Sequence, residues 1–174
     1  FSGADAIALG FADHFVPHDK LAEFTADIIA TDVPTALGRH AVEPPPSALA
    51  AQRGWINECF AAPTVAGIIA ALRAHDAPEA HAAADVIQTR SPIALTVTLE
   101  AVRRAGELAT LADVLVQEFR VSCASLRSHD LVEGIRAQLV DKDRNPQWSP
   151  ADLAAVTTAD VDAYFIDADP DLTF

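Results

Sequence analysis

Residues 129–150 read HDLVEGIRAQLVDKDRNPQWSP, and this stretch decides the fold: it is either the end of a helix or the rim of a reaction centre. It holds one histidine, four acids, three cations and one tryptophan. Asp130 and Glu133 have the spacing of a helix start, in which Asp130 accepts a backbone N–H and Glu133 reaches back to the first turn. His129 and Asp130 are adjacent, which is poor geometry for a general acid–base pair, and no nucleophile accompanies them. The pattern therefore favours a helix cap.

Most of the remaining chain has helical periodicity, with apolar residues three and four positions apart. Ser91 before Pro92 is a typical helix start, and so is Thr110 before an acidic first turn. Helices are predicted at residues 2–9, 18–30, 48–60, 63–75, 78–89, 91–106, 110–128, 130–140, 149–156 and 158–165. The predicted fold class is mainly α.

The segment FADHFVP, residues 11–17, is the exception to this helical pattern. It alternates apolar and polar residues and predicts one short strand near residues 11–16. Because a strand needs a partner for its backbone groups, we expect a sheet in chain that is absent from this sequence. Asp13 and His14 are neighbours on this strand, so they point to opposite faces and are not expected to act together.

The segment VEPPPSAL, residues 42–49, interrupts the helices with three consecutive prolines. Such a run is stiff and extended and lacks backbone donors. An ordinary surface loop and a domain linker are both compatible with it. As a linker, it divides the chain into residues 1–41 (helix, strand, helix), 42–90 (proline-rich connector and helical insert) and 91–174 (a C-terminal helical region).

Composition limits the classes of function. The 174 residues are 51% hydrophobic and 21% charged, which is ordinary for one globular domain. The formal net charge of −13 disfavours nucleic-acid binding, which needs a basic surface. No apolar run approaches the roughly 20 residues that cross a bilayer, and the N-terminus does not resemble a signal peptide. We expect a cytoplasmic protein and, since it has no methionine and begins with Phe1, a piece of a longer one.

Few side chains are arranged for chemistry. Cys59 and Cys123 lie in apolar helical patterns and do not support a disulfide framework or a zinc site. His75 and His81 lack the spacing of metal ligands, and no metal site is expected. The sequence contains neither a Gly-x-Ser-x-Gly turn nor a glycine-rich phosphate loop. No catalytic residue is therefore assigned in this chain.

The loop DKDRNP, residues 141–146, carries Lys142 and Arg144 beside two aspartates. It is compatible with a solvated turn that holds local ion pairs and also with a phosphate contact. Trp148, which follows this loop, is expected to anchor it by burying its ring.

Four stretches together carry a family resemblance. They are SGADAIALGFADHFVPHDKL at 2–21, INECF at 56–60, SPIALTVTLEAVRRA at 91–105 and EFRVSCASLRSHDLVEGIRAQLVDKDRNPQWSP at 118–150. They resemble the C-terminal half of the crotonase (enoyl-CoA hydratase/isomerase) superfamily, specifically its 3-hydroxyisobutyryl-CoA hydrolase branch. The insert at 42–90 argues against a plain enoyl-CoA hydratase.

The resemblance implies the helical C-terminal part of a crotonase-like α/β protein. Members of the branch hydrolyse 3-hydroxyisobutyryl-CoA in valine breakdown. Their oxyanion hole and catalytic acid belong to the N-terminal half, before Phe1 here. It also implies a coenzyme A thioester as substrate, no covalently bound cofactor, and no activity without the other half. Lys142 approximately resembles the basic position that crotonases place near the CoA phosphates, and is the one candidate binding residue.

The partners that the resemblance implies are the missing N-terminal half, an acyl-CoA and further copies of the same protein. Neither nucleic acid nor a membrane is expected as a partner. Two alternatives remain open. The chain is also compatible with the C-terminal part of an enoyl-CoA hydratase or isomerase, and with a helical self-association module that has no catalysis of its own.

Overall fold

The computed structural model describes residues 1–174 and is almost entirely helical. Its α-helices are α1 (Gly3–Ala8), α2 (Leu21–Ala30), α3 (Val33–His40), α4 (Ala48–Phe60), α5 (Val65–Ala74), α6 (Pro78–Gln88), α7 (Pro92–Ala105), α8 (Leu111–Leu126), α9 (His129–Ile135) and α10 (Thr158–Asp162). A π-helix, Arg136–Val140, continues α9, and 3₁₀ turns occupy His18–Lys20 and Leu153–Ala155. The mainly α fold class is confirmed. None of these helices combines the length and apolar character needed to span a bilayer.

The extended segment predicted near residues 11–16 is present, but it forms one antiparallel bridge rather than a strand in a sheet. In this bridge Val42 N donates to Phe15 O over 2.9 Å. The pairing cannot continue along the partner segment, because Pro44, Pro45 and Pro46 follow and have no N–H to donate.

The helices form two compact units, residues 1–57 and residues 58–174. In the first unit, Asp5 joins α1 to the start of α4. Its Oδ2 accepts from Ser2 N at 2.7 Å, while its Oδ1 accepts from Ser47 Oγ at 2.6 Å and from Leu49 N at 3.1 Å. These donors, Ser2 N foremost, hold the pKa of Asp5 well below its ordinary value.

The helices α2 and α3 of the same unit are joined by another carboxylate. Asp27 Oδ2 lies 2.7 Å from His40 Nε2 and 3.4 Å from Arg39 Nη1. The sequence-based division into residues 1–41, 42–90 and 91–174 stays a prediction.

The second unit begins with the antiparallel pair α5 and α6. Leu72, Ala80 and Ala84 are completely buried along this pair, and the alanines allow close approach of the backbones. Arg73 on α5 reaches Asp85 on α6 at 2.5 Å.

The helix α7 forms the centre of the second unit. Its residues Ile93 and Val97 are buried together with Val161 of α10. A buried amide bond joins α7 to α8, since Gln117 Nε2 donates to Ala101 O over 3.0 Å. Arg103, also on α7, donates to the carbonyl oxygens of residues 62 and 63 and so fixes the loop before α5.

The helix starts predicted at Ser91 and Thr110 are confirmed. Thr64, Ser91 and Thr110 each accept a backbone N–H from the third residue of the helix that follows. The helix predicted at residues 149–156 is wrong, because only a 3₁₀ turn forms there. The N–H of Ser149 instead donates to a distant carboxylate, a contact that the local pattern could not reveal.

We predict that Leu72→Ala lowers the free energy of unfolding by about 2–5 kcal/mol, because it opens a cavity at a completely buried position. Denaturant unfolding followed by circular dichroism measures this change. The matched control is Leu111→Ala at a side chain that is 73% exposed, which should change stability by less than about 0.5 kcal/mol. Equal effects of the two substitutions would contradict the assignment of the α5–α6 core.

Candidate functional site

An open groove lies between α7, α8, α9 and the loop after the π-helix, within residues 58–174. Its volume is about 750 Å³. It is lined by Thr89, Arg90, Ser91, Ile93, Ala94, Val97, Thr98, Val121, Ser125, Ser128, Asp130, Leu131, Gly134, Ile135, Gln138, Leu139, Arg144, Pro146, Trp148 and Tyr164. Most of the carbon-rich side chains come from α7 and α9, so the walls of the groove are mainly apolar.

Asp130 lines the groove as a buried carboxylate, with 6% of its surface exposed. Its Oδ2 accepts from Ser91 Oγ at 2.5 Å, and its Oδ1 accepts from Ser149 N at 2.8 Å. His129 Nδ1 lies 2.9 Å from the same Oδ1. Since Ser91 Oγ also accepts from Ala94 N, Asp130 is joined through this serine to the N-terminus of α7.

The prediction that Asp130 caps its own helix is wrong. Ser128 is the cap residue, and its Oγ accepts from Leu131 N at 3.3 Å. Serine and aspartate cap helices about equally well, so the local pattern did not discriminate between the two positions. Asp130 is not the cap because its carboxylate is buried and needs donors, which residues 91 and 149 provide. Ser128 is left to cap α9.

Glu133 also does not reach back to the first turn of α9. Its Oε1 and Oε2 accept from Arg136 at 2.8 and 2.9 Å, and Oε1 also accepts from Gln147 N at 2.7 Å. Arg136 extends to Asp141 at 2.7 Å and to Asp143 at 2.6 Å. The Arg136 guanidinium, followed by the Gln147 N–H, lowers the pKa of Glu133 to about 2.

Because Arg136 binds the acids of the loop, the cationic side chains of Lys142 and Arg144 are left without these acids as ion-pair partners. The sequence was compatible with local ion pairs in this loop, and the acids at 141 and 143 do form ion pairs, but with Arg136. Lys142 and Arg144 both adopt left-handed backbone conformations, with φ of 58° and 54°. Arg144 N donates to Ala137 O at 3.0 Å, which holds the loop against the π-helix.

The structure brings Arg144 to the groove and leaves Lys142 outside it. Arg90, directly before the cap residue of α7, also lines the groove. Sequence reasoning missed Arg90, for which no motif or spacing gave a signal. The role of Lys142 as a ligand of the CoA phosphates stays a prediction.

Trp148 contacts the segment before α7, but its side chain is half-buried rather than buried as predicted. Its Nε1 donates to Thr89 O at 3.1 Å. Its ring covers Gly134, where an added Cβ would lie 3.4 Å from the ring. Gly134 therefore lets the ring lie close to α9, and an isolated glycine within a helical pattern was the available signal for this contact.

The other polar side chains singled out in the sequence have local roles. His75 Nδ1 accepts from Ala77 N at 3.0 Å, and His81 Nε2 lies 2.7 Å from His75 O. No group of three histidine, cysteine or acidic side chains is arranged to hold a metal ion. Cys59 and Cys123 are free thiols, and burial raises the pKa of the Cys59 thiol, which weakens it as a nucleophile.

The groove combines an apolar concave surface with a serine that is hydrogen-bonded to a buried carboxylate. Ser91 Oγ donates to the carboxylate of Asp130 and accepts from Ala94 N, so both of its hydrogen-bonding roles are used within the protein. An apolar concave surface with a few cationic groups at its edge is typical of a site for an organic ligand.

Comparison with known proteins identifies relatives over nearly the whole chain. The family model described as enoyl-CoA hydratase/isomerase matches residues 1–165. The mouse (Mus musculus) protein named 3-hydroxyisobutyryl-CoA hydrolase, mitochondrial, is 35% identical over 174 residues, covering 94% of this chain and 45% of the mouse protein.

Two solved structures are also similar to the chain. A carnitinyl-CoA dehydratase from Mycobacterium thermoresistibile superposes with a TM-score of 0.94 at 68% identity, covering 100% of this chain and 50% of that one. An enoyl-CoA hydratase from Rhodobacter sphaeroides 2.4.1 gives a TM-score of 0.85 at 34% identity, with the same coverage. The chain spans about half the length of each of these proteins.

We predict that Asp130→Ala destabilises the protein by about 1–3 kcal/mol, because Ser91 Oγ and Ser149 N then lose their buried acceptor. His129→Ala serves as the control, since the His129 side chain is 57% exposed. Denaturant unfolding measures both changes. A loss for Asp130→Ala no greater than that for His129→Ala would show that the carboxylate does not join these segments.

The lowered pKa of Glu133 predicts how the stability of the protein changes at acidic pH. Its folded-state pKa lies below its ordinary value of 4.5, so its stabilisation is complete above pH 4.5 and is lost as the pH falls towards 2. The unfolding free energy of the wild type should therefore decline more steeply from pH 5 to pH 3 than that of Glu133→Gln. Parallel pH profiles for the two proteins would rule out this contribution of Glu133.

Proposed function

The chain belongs to the enoyl-CoA hydratase/isomerase family, and from that premise we propose that it is the C-terminal helical part of an acyl-CoA thioester hydrolase. The proposed substrate is 3-hydroxyisobutyryl-CoA, an intermediate of valine breakdown. Support comes from the mouse relative, whose name states this activity and to which the chain is 35% identical. The proposed parent protein is longer than this chain and supplies the remaining half.

In this proposal the 174 residues bind the substrate and shape its pocket, and they do not supply the reacting groups. The groove supplies apolar walls beside the acyl group, and Asp130 and Arg136 keep those walls in place. The single observation that supports this assignment of roles is the hydrogen bonding of Asp130. This buried carboxylate at the groove accepts hydrogen bonds from two serines and contacts a histidine, so it is committed to structure. The oxyanion-hole donors and the catalytic acid are assigned to the other half of the parent protein.

A second candidate function is hydration or dehydration of an acyl-CoA. One observation favours it: the chain is 68% identical to the M. thermoresistibile protein, which is titled a carnitinyl-CoA dehydratase. Both reactions use a coenzyme A thioester with a polarised carbonyl group. The groove would contribute to either reaction in the same way.

A third proposal concerns association. The helix α9 and the π-helix expose Val132 by 64%, Leu139 by 68% and Val140 by 69%, and Leu139 also lines the groove. Apolar side chains in such a contiguous stripe favour a contact with protein. Self-association is therefore proposed alongside the enzyme function, as are the missing half and an acyl-CoA as partners. The cytoplasmic location stays a prediction, and the name of the mouse relative places that protein in mitochondria.

We predict that residues 1–174 alone do not release coenzyme A from 3-hydroxyisobutyryl-CoA, whereas the full-length parent protein does. The free thiol released on cleavage is measured with a thiol-reactive dye. Hydration of crotonyl-CoA, followed by loss of the enoyl absorbance, is the parallel assay for the second candidate. Cleavage by the isolated chain at an enzyme-like rate would contradict the proposal. A parent protein that hydrates crotonyl-CoA without cleaving 3-hydroxyisobutyryl-CoA would replace the hydrolase with the hydratase.

A further inference from the structure

The segment 166–174 is attached to the rest of the protein through one polar side chain. None of its backbone groups forms a hydrogen bond with another backbone group. Arg120 on α8 supplies every hydrogen bond and ion pair that joins this segment to other residues. The Arg120 Nε donates to Asp171 Oδ2 at 3.0 Å, Nη2 donates to the same oxygen, and Nη2 lies 2.9 Å from Asp167 Oδ1.

The two carboxylates that Arg120 binds differ in burial. The side chains of Arg120 and Asp171 are 27% and 23% exposed, whereas that of Asp167 is 83% exposed. Two N–H groups on one partly buried carboxylate form a stronger contact than an ion pair in solvent. The Arg120 guanidinium also lowers the pKa of Asp171. Asp171 is therefore the main attachment of the segment, and Asp167 adds little.

The residues just before this segment connect it to the groove. Tyr164 is half-buried and lines the groove. The next residue, Phe165, lines a second cavity of about 550 Å³, which Arg120 also lines. The guanidinium carbon of Arg104 lies 4.1 Å from the centroid of the Phe165 ring. The chain beyond the groove is thus held at two places, by Arg104 at Phe165 and by Arg120 at Asp171.

We propose that residues 164–171 form a strap with two positions, and that the ion pair between Arg120 and Asp171 holds the closed one. In the closed position the strap keeps Tyr164 in the wall of the groove. Breaking the pair frees the strap, because no other hydrogen bond or ion pair joins residues 166–171 to the protein, and Tyr164 then leaves the wall. Arg120 is a positioning residue, since it acts on the groove through the strap and does not line the groove itself.

Ionic strength is the expected trigger of this strap. Arg120 and Asp171 are each about a quarter exposed, so dissolved ions reach the pair. The Debye length falls from about 10 Å at 0.1 M salt to about 3 Å at 1 M salt, which weakens the attraction between the two charges. The burial of Ile93 and Val97 in the core of the second unit does not depend on charge. Salt should therefore open the strap while the core remains folded.

The test uses the one tyrosine of the chain as a probe. Incorporation of 3-fluorotyrosine at Tyr164 gives a fluorine NMR signal whose position reports its surroundings, and whose H₂O/D₂O shift reports its contact with solvent. Asp171→Asn should move this signal towards its position in the unfolded chain and increase the solvent shift. Asp167→Asn is the matched control, because it removes the same charge from the same guanidinium at an 83% exposed position, and it should leave the signal in place.

Two further measurements test the pair and the trigger. Arg120→Gln should move the signal as Asp171→Asn does, and the double variant should move it no further, because each substitution breaks the same contact. Raising NaCl from about 0.1 M to about 1 M should move the wild-type signal towards that of Asp171→Asn and leave the variant unchanged. Protection of the Val97 amide from hydrogen exchange checks that the core is intact in every sample.

The proposal is overturned if the Asp171→Asn signal coincides with that of the wild type, or if Asp167→Asn moves it equally. A wild-type signal that does not respond to salt also overturns it, because the pair is then a fixed tether. If Asp171→Asn loses the protection of Val97, the salt titration of the wild type decides alone. The activity of the parent protein changes none of these outcomes, since the probe reports only the position of Tyr164.

Discussion

The buried carboxylate of Asp130 is the interaction on which the second unit of the structure depends. A polar side chain with 6% exposure is stable only if hydrogen-bond partners replace the water that it has lost. Ser91 and Ser149 provide these donors from positions 39 and 19 residues away. Because Ser91 also caps α7, one carboxylate fixes the start of α7, the start of α9 and the loop that carries Trp148. These contacts therefore hold in place the helices and the loop that form the walls of the groove.

The neighbouring cluster around Arg136 sets the charge of the groove. Glu133, Asp141 and Asp143 all bind this one guanidinium, so the acidic side chains of the loop pair with Arg136 and not with Arg144. An acidic protein thereby keeps two arginines free at an apolar surface. The proposed function assigns binding to this part of the molecule and the reactive groups to the rest of the proposed parent protein.

The helices could be predicted from the sequence because their determinants are local. Caps such as Ser91 and Thr110 lie within three residues of the N–H groups that they satisfy, so periodicity and capping identified most helix starts. The groove could not be predicted in the same way. The spacing of Asp130 and Glu133 fits a capping box, and nothing nearby reveals that both carboxylates bind distant partners. Arg90 lacked any motif, and its place at the groove follows from tertiary packing alone.

Native-state amide hydrogen exchange of Ser149 tests the central claim most directly. Its N–H donates to Asp130 Oδ1 at 2.8 Å, in a segment with no regular helix to protect it. If the carboxylate joins the loop to α7, Ser149 should exchange through the same cooperative opening as the buried residue Val97, with a similar protection factor. A Ser149 amide that exchanges as fast as an unstructured chain, while Val97 remains protected, would contradict the account.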